Sequence, residues 1–205
     1  MRADAVRNRE RILRVTVDLV LEYGPAVPME VIARRAEVGV ATLYRHFPDR
    51  ASLFTQVKLD VMERAAEEAE AALHEETDAF AALARYMHKA IDLRASAVVP
   101  MLREHAQRDE NVIAARMRGR AAVDALVSRA HREHALRPEV STADISMLII
   151  RLSRPIQGIP AADNLGLSHR HLELLLDGFL HFLSGDPLPD PAITLDEPAP
   201  VPDSL

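Results

Sequence analysis

Apolar residues return at helical spacing along most of this 205-residue chain and nowhere alternate with the two-residue period of a half-buried strand. In "RERILRVTVDLVLEYG", Ile12, Thr16, Leu19, Val20 and Tyr23 share one helical face, which ends at Gly24. In "PMEVIARRAEV" the same pattern falls on Met29, Ile32, Ala33 and Ala36, and Pro28 suits a first-turn position, where a missing N–H costs nothing. A break near Glu37 to Gly39 leads into "VATLYRHF", with Leu43 and Phe47 one turn apart on the inner face. Asp49 is a natural N-cap for a long fourth helix, "RASLFTQVKLDVMERAAEEAEAAL", of about 36 Å at 1.5 Å per residue. Further helices are expected over 77–95, 98–107, 109–135, 142–157 and 168–184, separated by short polar breaks, "LRPEVST" and "GIPAADNLGLS" among them. The expected fold is all-α.

Charge is unevenly distributed. The whole chain carries −6, yet residues 1–50 hold nine Arg against seven acids, for +2, and the remainder is −8. A basic module on an acidic body is compatible with DNA, since only the contacting face must be positive. The absence of Cys excludes disulfides, thiolate metal sites and a cysteine nucleophile. With neither an apolar signal segment nor a run of roughly 20 apolar residues, a cytoplasmic protein without a membrane partner is expected.

Two short helices joined by a tight turn, the second presenting small and polar groups around an inward Leu and Phe, make a helix-turn-helix whose second helix fits the major groove. The stretch "VIARRAEVGVATLYRHFPDRASLF" is similar to the DNA-binding signature of TetR-family transcriptional regulators, and "RERILRVTVDLVLEYG" resembles their first helix. The resemblance implies an N-terminal three-helix DNA-binding domain over 1–50 and a helical effector-binding and dimerisation domain over 51–184. By position it places Val40 and Ala41 at base edges, Tyr44 at base and backbone, and Thr42, Tyr44, Arg45, His46 and Arg50 on phosphates. It also implies a homodimer on a double-stranded operator, most simply a repressor released by a small-molecule effector. Three positions depart from the family pattern: Glu37 stands for the usual turn Gly, Gly39 for a common Ser cap, and Ala41 for a small Gly. A Glu in the left-handed region costs roughly 1 to 2 kcal/mol, which leaves the geometry of this turn open.

The body carries no matching motif. Phe80, Tyr86, Met87, Met101, Leu102, His105 and Met117 are candidates to line an effector cavity, since Met adapts to irregular apolar ligands, although helical spacing alone also suits plain core. The segments "ISMLIIRLSRPI" and "HLELLLDGFLHFL" are apolar beyond a single stripe, so one face is expected in the chain's own core and the other against a second copy. The interface candidates are Ile145, Leu148, Ile149, Leu152, Leu172, Leu175, Leu176, Phe179 and Leu183. His131 with His134, and His169 with His171, have ligand spacing, but interleaved Arg129, Arg132 and Arg170 and the lack of an acidic cluster favour solvated surface over a metal site. No cofactor is expected. No nucleophile beside a base and no phosphate-cradling Gly loop is present, so binding is expected and catalysis is not. The competing reading is a helical sensor or adaptor whose N-terminal module contacts protein. Residues 185–205 hold six of the thirteen prolines and five acids with no base, a composition expected to remain disordered.

Overall fold

The computed structural model describes residues 2–102, 104 and 109–180; His105, Leu183 and the 185–205 segment lie outside the described residues. The described elements are all helical: α1 Arg2–Tyr23, α2 Met29–Arg35, α3 Val40–His46, α4 Arg50–Glu75, α5 Ala79–Leu93, α6 Ala95–Met101, α7 Glu110–Arg132, α8 Thr142–Leu152 and α9 Ala161–Leu180. No described helix is long and apolar enough to cross a membrane.

Local chemistry accounts for most boundaries. Gly24, at φ +82°, takes the left-handed position that ends α1. Asp49 accepts from the Ser52 amide at 2.7 Å, and the Ser52 hydroxyl faces the Asp49 amide, a reciprocal box at the start of α4. Asp78 and Asp109 cap α5 and α7, and Ser141 with Asp144 forms a second box at α8. At the far end of α4, Arg129 of α7 donates to the carbonyls of Leu73, Glu76 and Thr77 at 3.1, 2.9 and 2.6 Å, satisfying acceptors that a helix end leaves open.

Two apolar clusters form, and α4 joins both. The first gathers Ile12, Leu13, Leu19, Val20, Ile32, Leu43, Phe47, Leu53, Phe54 and Val57 around α1 to α3 and the start of α4. The second gathers Leu83, Tyr86, Met87, Ile91, Leu126, Ile145, Ile149, Leu172 and Leu176 around α5, α7, α8 and α9, with Ala69 and Ala72 from the end of α4. Between them, the buried face of α4 narrows to Ala66, Ala69 and Ala72. Opposite Ala66 stands Gly119 of α7, where a β-carbon would lie 3.5 Å from the Ala66 Cβ. Small residues on both sides let the two long helices pack closely.

The structure corrects four sequence expectations. The sixth helix begins at Ala95, not 98, and Pro100 lies inside it. Tyr23 is exposed rather than on the buried face of α1; Thr16, fully buried, satisfies its hydroxyl by donating to the Ile12 carbonyl at 2.7 Å. The eighth helix stops at Leu152, before Pro155, instead of running to 157. The ninth begins at Ala161, not 168, because "AADNLGLS" is not a break: Asn164, buried, accepts from the Ile156 amide at 2.8 Å and donates to the Ile159 carbonyl at 2.7 Å, folding the preceding loop onto the helix's first turn.

Candidate nucleic-acid interface

Helix α3 is held from inside. Leu43 and Phe47 are buried in the first cluster, and Arg9 of α1 sits over the Phe47 ring, 5.9 Å from its centroid. The four-residue spacing of this pair sends Val40, Ala41, Tyr44 and Arg45 outward. Val40 is 40 % exposed and Tyr44 41 %, sizeable apolar surface for a helix that needed only solubility. Thr42 and His46 are half-buried at the flanks, and Arg45 donates to the Thr42 hydroxyl at 3.4 Å.

The start of α3 is open. Gly39 has extended backbone and places no side chain over the first turn, so the uncapped amides of α3 are left to outside acceptors. A helix of two turns with exposed amides at one end and Arg45 and His46 at the other offers donors at both ends to a phosphate backbone.

The turn between α2 and α3 keeps its left-handed geometry with a non-glycine residue. Glu37 has φ +53°, and its carbonyl accepts from Arg11 of α1 at 3.3 Å, with the Arg11 guanidinium also 3.9 Å from the Glu37 carboxylate. Arg11 thus ties the strained turn to α1. Sequence reasoning missed this residue; an Arg one helix away carries no local signal of its partner.

Arg50 departs from a free surface arginine. It donates to the Pro25 carbonyl at 2.8 Å and lies over the Phe54 ring at 5.7 Å, so one of its donors fastens the α1–α2 loop to α4.

Comparison with known proteins bears on this module and on the body separately. Residues 12–57 match the family model of bacterial regulatory proteins of the tetR family, and residues 78–181, half of the chain, match the C-terminal domain of SbtR-like transcriptional regulators. The chain belongs to the TetR family. Its structure resembles a TetR transcription regulatory protein from Mycobacterium vanbaalenii, with 29 % identity, a TM-score of 0.60, and 88 % of this chain and 99 % of that one covered. It also resembles the TetR transcriptional regulator SCO0520 from Streptomyces coelicolor, with 26 % identity, a TM-score of 0.62, and coverage of 85 % and 99 %. An HTH-type transcriptional regulator of Staphylococcus aureus is 43 % identical over 54 residues, 26 % of this chain and 29 % of that protein's length.

In the body of this TetR-family chain, the six cavity candidates among the described residues are not brought together. Tyr86 and Met87 are buried in the second cluster with Phe80 packed on it, whereas Leu102 is buried in the first cluster, within the DNA-binding core. Met101 is exposed and Met117 is 65 % exposed. A cavity of about 30 Å³ lies instead beside the α5–α6 junction, lined by Ile91, Arg94, Ser153, Asn164 and Ser168 among others.

The placement of Leu102 reveals what the sequence reading overlooked. Helix α6 and its C-cap bury Ala95, Val98 and Leu102 in the core of the DNA-binding module. It joins α5 at Arg94, which has φ +52° and reaches Asp18 of α1 at 3.3 Å. The i, i+3, i+7 spacing of Ala95, Val98 and Leu102 was a legible docking face; its destination was not.

The interface candidates divide. Ile145, Ile149, Leu172 and Leu176 are buried in the chain's own core, and Leu148 and Leu152 pack partly against it. Leu175 is half-buried. Phe179 lies on the last turn of α9, and Leu183 beyond the described residues. Exposed apolar surface here belongs to Leu174 and Ile156.

Proposed function

We propose that this TetR-family regulator is a repressor that binds a palindromic operator as a homodimer and leaves it when a small molecule binds the helical body. The observation that carries the DNA-binding half is α3 itself: Val40, Ala41, Tyr44 and Arg45 face outward from a helix pinned by Leu43 and Phe47. In this reading Val40 and Ala41 meet base edges, an isopropyl group suiting a thymine methyl. Tyr44, Thr42, Arg45, His46 and Arg50 hold phosphates.

One recognition helix reads few base pairs, at about 1 to 3 kcal/mol per mismatch, too little against the competing sites of a genome. Two half-sites supply the rest, with centres about one helical turn or a small multiple apart. The outer side of α9, with Leu174 and Leu175, together with Ile156 in the loop before it, is the face assigned to the partner copy.

Release needs a route from body to reading head, and two exist. Helix α4 belongs to both clusters, and α6 is embedded in the DNA-binding core while continuing from α5. A cavity of about 30 Å³ holds little more than water, whereas ligand pockets span roughly 300–1,000 Å³. An effector of ordinary size bound there therefore selects a state in which the body has opened, and shifts the equilibrium by no more than its differential affinity.

Arg45→Ala tests the interface, because among the described residues Arg45 bonds only its neighbour Thr42 and its loss leaves the core intact. Fluorescence anisotropy across a salt series should show weaker binding to specific and random duplex alike, with the log–log salt slope reduced by about one unit. An unchanged slope removes Arg45 from the interface. For the dimer, Leu174→Glu is the informative change, since Leu176 is internal and Leu176→Glu would unfold the chain whatever its oligomeric state. Light scattering should give a dimer for the wild type and a folded monomer for Leu174→Glu; a wild-type monomer that still binds a palindrome tightly refutes the assembly.

A further inference from the structure

Arg7, Arg11 and Arg14 of α1 are spaced so that their side chains share one helical face. With Arg64 of α4, and with Glu10 and Asp60, they line a cleft of about 410 Å³ between the two helices. That volume lies within the roughly 300–1,000 Å³ of small-molecule sites, unlike the cavity in the body. Four guanidinium groups against two carboxyls leave the lining with an excess of two positive charges.

The cleft does not neutralise itself. Arg14 is exposed and has no hydrogen-bond or ion-pair partner among the described residues. Arg7 pairs with Asp4, one turn back on its own helix, with both side chains largely exposed, and Arg64 reaches Asp60 only at 3.7 Å. Pairs of that kind contribute little and exchange readily for a better acceptor. Arg11 donates to Asn8 at 3.1 Å and to the Glu37 carbonyl, but its Nε is buried with no hydrogen-bond partner. Burial holds the Asp60 carboxyl above its usual range, only partly opposed by Arg64 and Arg9, so it takes a proton, and loses its repulsion of an anion, more easily than an exposed acid.

We propose that this cleft binds a small phosphate monoester that also carries hydroxyl groups, a sugar phosphate in the simplest case, with Arg11, Arg14 and Arg64 on the phosphoryl group and Glu10 and Asp60 accepting from the hydroxyls. The planar fork of an arginine engages two phosphoryl oxygens at once, and here the forks come from two helices. The carboxyls decide between ligands: they accept from hydroxyl hydrogens, whereas they repel the continuous run of phosphates along a DNA backbone. A discrete ligand with one anionic end and one hydroxylated end satisfies both kinds of lining. Arg11 connects the site to the reading head. Its guanidinium bonds the Glu37 carbonyl and lies 3.9 Å from the Glu37 carboxylate, so a phosphoryl group that draws this side chain into the cleft loosens the tie between α1 and the turn before α3. Ligand and operator then oppose one another, by the same factor in each direction. The site stands on the α1–α4 geometry alone, and only its coupling rests on the DNA-binding reading.

The test is calorimetric titration of the full-length chain, in low-salt, phosphate-free buffer, with ribose 5-phosphate, ribose and inorganic phosphate. Ribose 5-phosphate should bind once per chain and about tenfold or more tighter than inorganic phosphate, and ribose should give no saturable heat. Arg14→Ala and Arg64→Ala, which leave both apolar clusters untouched, should each weaken ribose 5-phosphate about 10- to 100-fold, while Arg170→Ala on α9 leaves it unchanged. Glu10→Gln should narrow the preference over inorganic phosphate. Saturating ribose 5-phosphate should lower operator affinity about fivefold or more in fluorescence anisotropy, and an unchanged affinity overturns the coupling through Arg11. No saturable heat with ribose 5-phosphate, or undiminished binding in both arginine variants, overturns the site. If ribose 5-phosphate is silent and Arg14→Ala lowers the salt slope for random duplex by about one unit, the cleft is part of the DNA contact surface and the ligand reading is refuted. Operator affinity of the ligand-free chain, measured in parallel, separates failure of the site from failure of DNA binding.

Discussion

Replacing Glu37 by Gly and, separately, by Ala tests whether the turn before the recognition helix stores strain. Glu37 sits at φ +53°, where a side chain with a β-carbon costs roughly 1 to 2 kcal/mol. Glycine removes that cost but adds about 0.5 to 1 kcal/mol of backbone entropy lost on folding. The ion pair to Arg11, at 3.9 Å with the two side chains 38 % and 82 % exposed, contributes at most about 0.5 kcal/mol, and the Arg11 bond to the Glu37 carbonyl survives either change. Glu37→Gly should therefore stabilise the chain slightly, by about 0.5 kcal/mol. Glu37→Ala keeps the strain and loses only the pair, so it should be neutral or destabilising by up to about 0.5 kcal/mol. The informative quantity is the gap between the two variants, about 0.5 to 1 kcal/mol in favour of Gly, because the ion pair is absent from both. Urea unfolding at matched ionic strength resolves it. Equal stabilities, or an Ala variant more stable than the Gly one, would mean that the turn does not hold this residue in the left-handed region, and the account of how α3 is set against α2 would fall.

Two further perturbations probe the body. At Gly119, an added methyl group meets Ala66 atoms at 3.5 to 3.9 Å, ordinary contact, so Gly119→Ala should gain the helix propensity of about 1 kcal/mol and raise the melting temperature by about 2 to 4 °C, whereas Gly119→Leu should lower it by forcing α4 and α7 apart. For Tyr86, burial pushes the phenol from 10.0 up to about 12; stability is untouched below pH 10 and declines as pH rises from 10 toward 12, by about 2 to 3 kcal/mol at the limit. Unfolding measured from pH 9 to 12 should show that decline in the wild type in excess of the decline in Tyr86→Phe, and parallel curves would contradict it.

Much of the DNA-binding module was legible because its determinants are local. Helix formation links residues three and four apart, so the Leu43–Phe47 spacing fixed which side chains of α3 face outward before any partner was known. Gly24 and Asp49 marked helix ends through φ and hydrogen-bonding preferences that each residue carries with it. Chemistry at longer range was not written in the same way. The sequence offered His169 with His171 as a pair, but residues two apart lie on opposite sides of a helix. The ring facing His169 is His88, 81 positions earlier, brought there by the packing of α5 on α9. Leu102 was equally apolar whether it lined a cavity or plugged another module, and only the position of α6 against α1 and α4 decided between them. The left-handed turn at Arg94 and the early start of α9 around Asn164 followed from packing and from hydrogen bonds to loop backbone. Sequence determined the helices and the outward face of the reading head, because these depend on neighbours within one turn. The tertiary structure alone decided which faces met, because that depends on how whole helices share out their apolar surface.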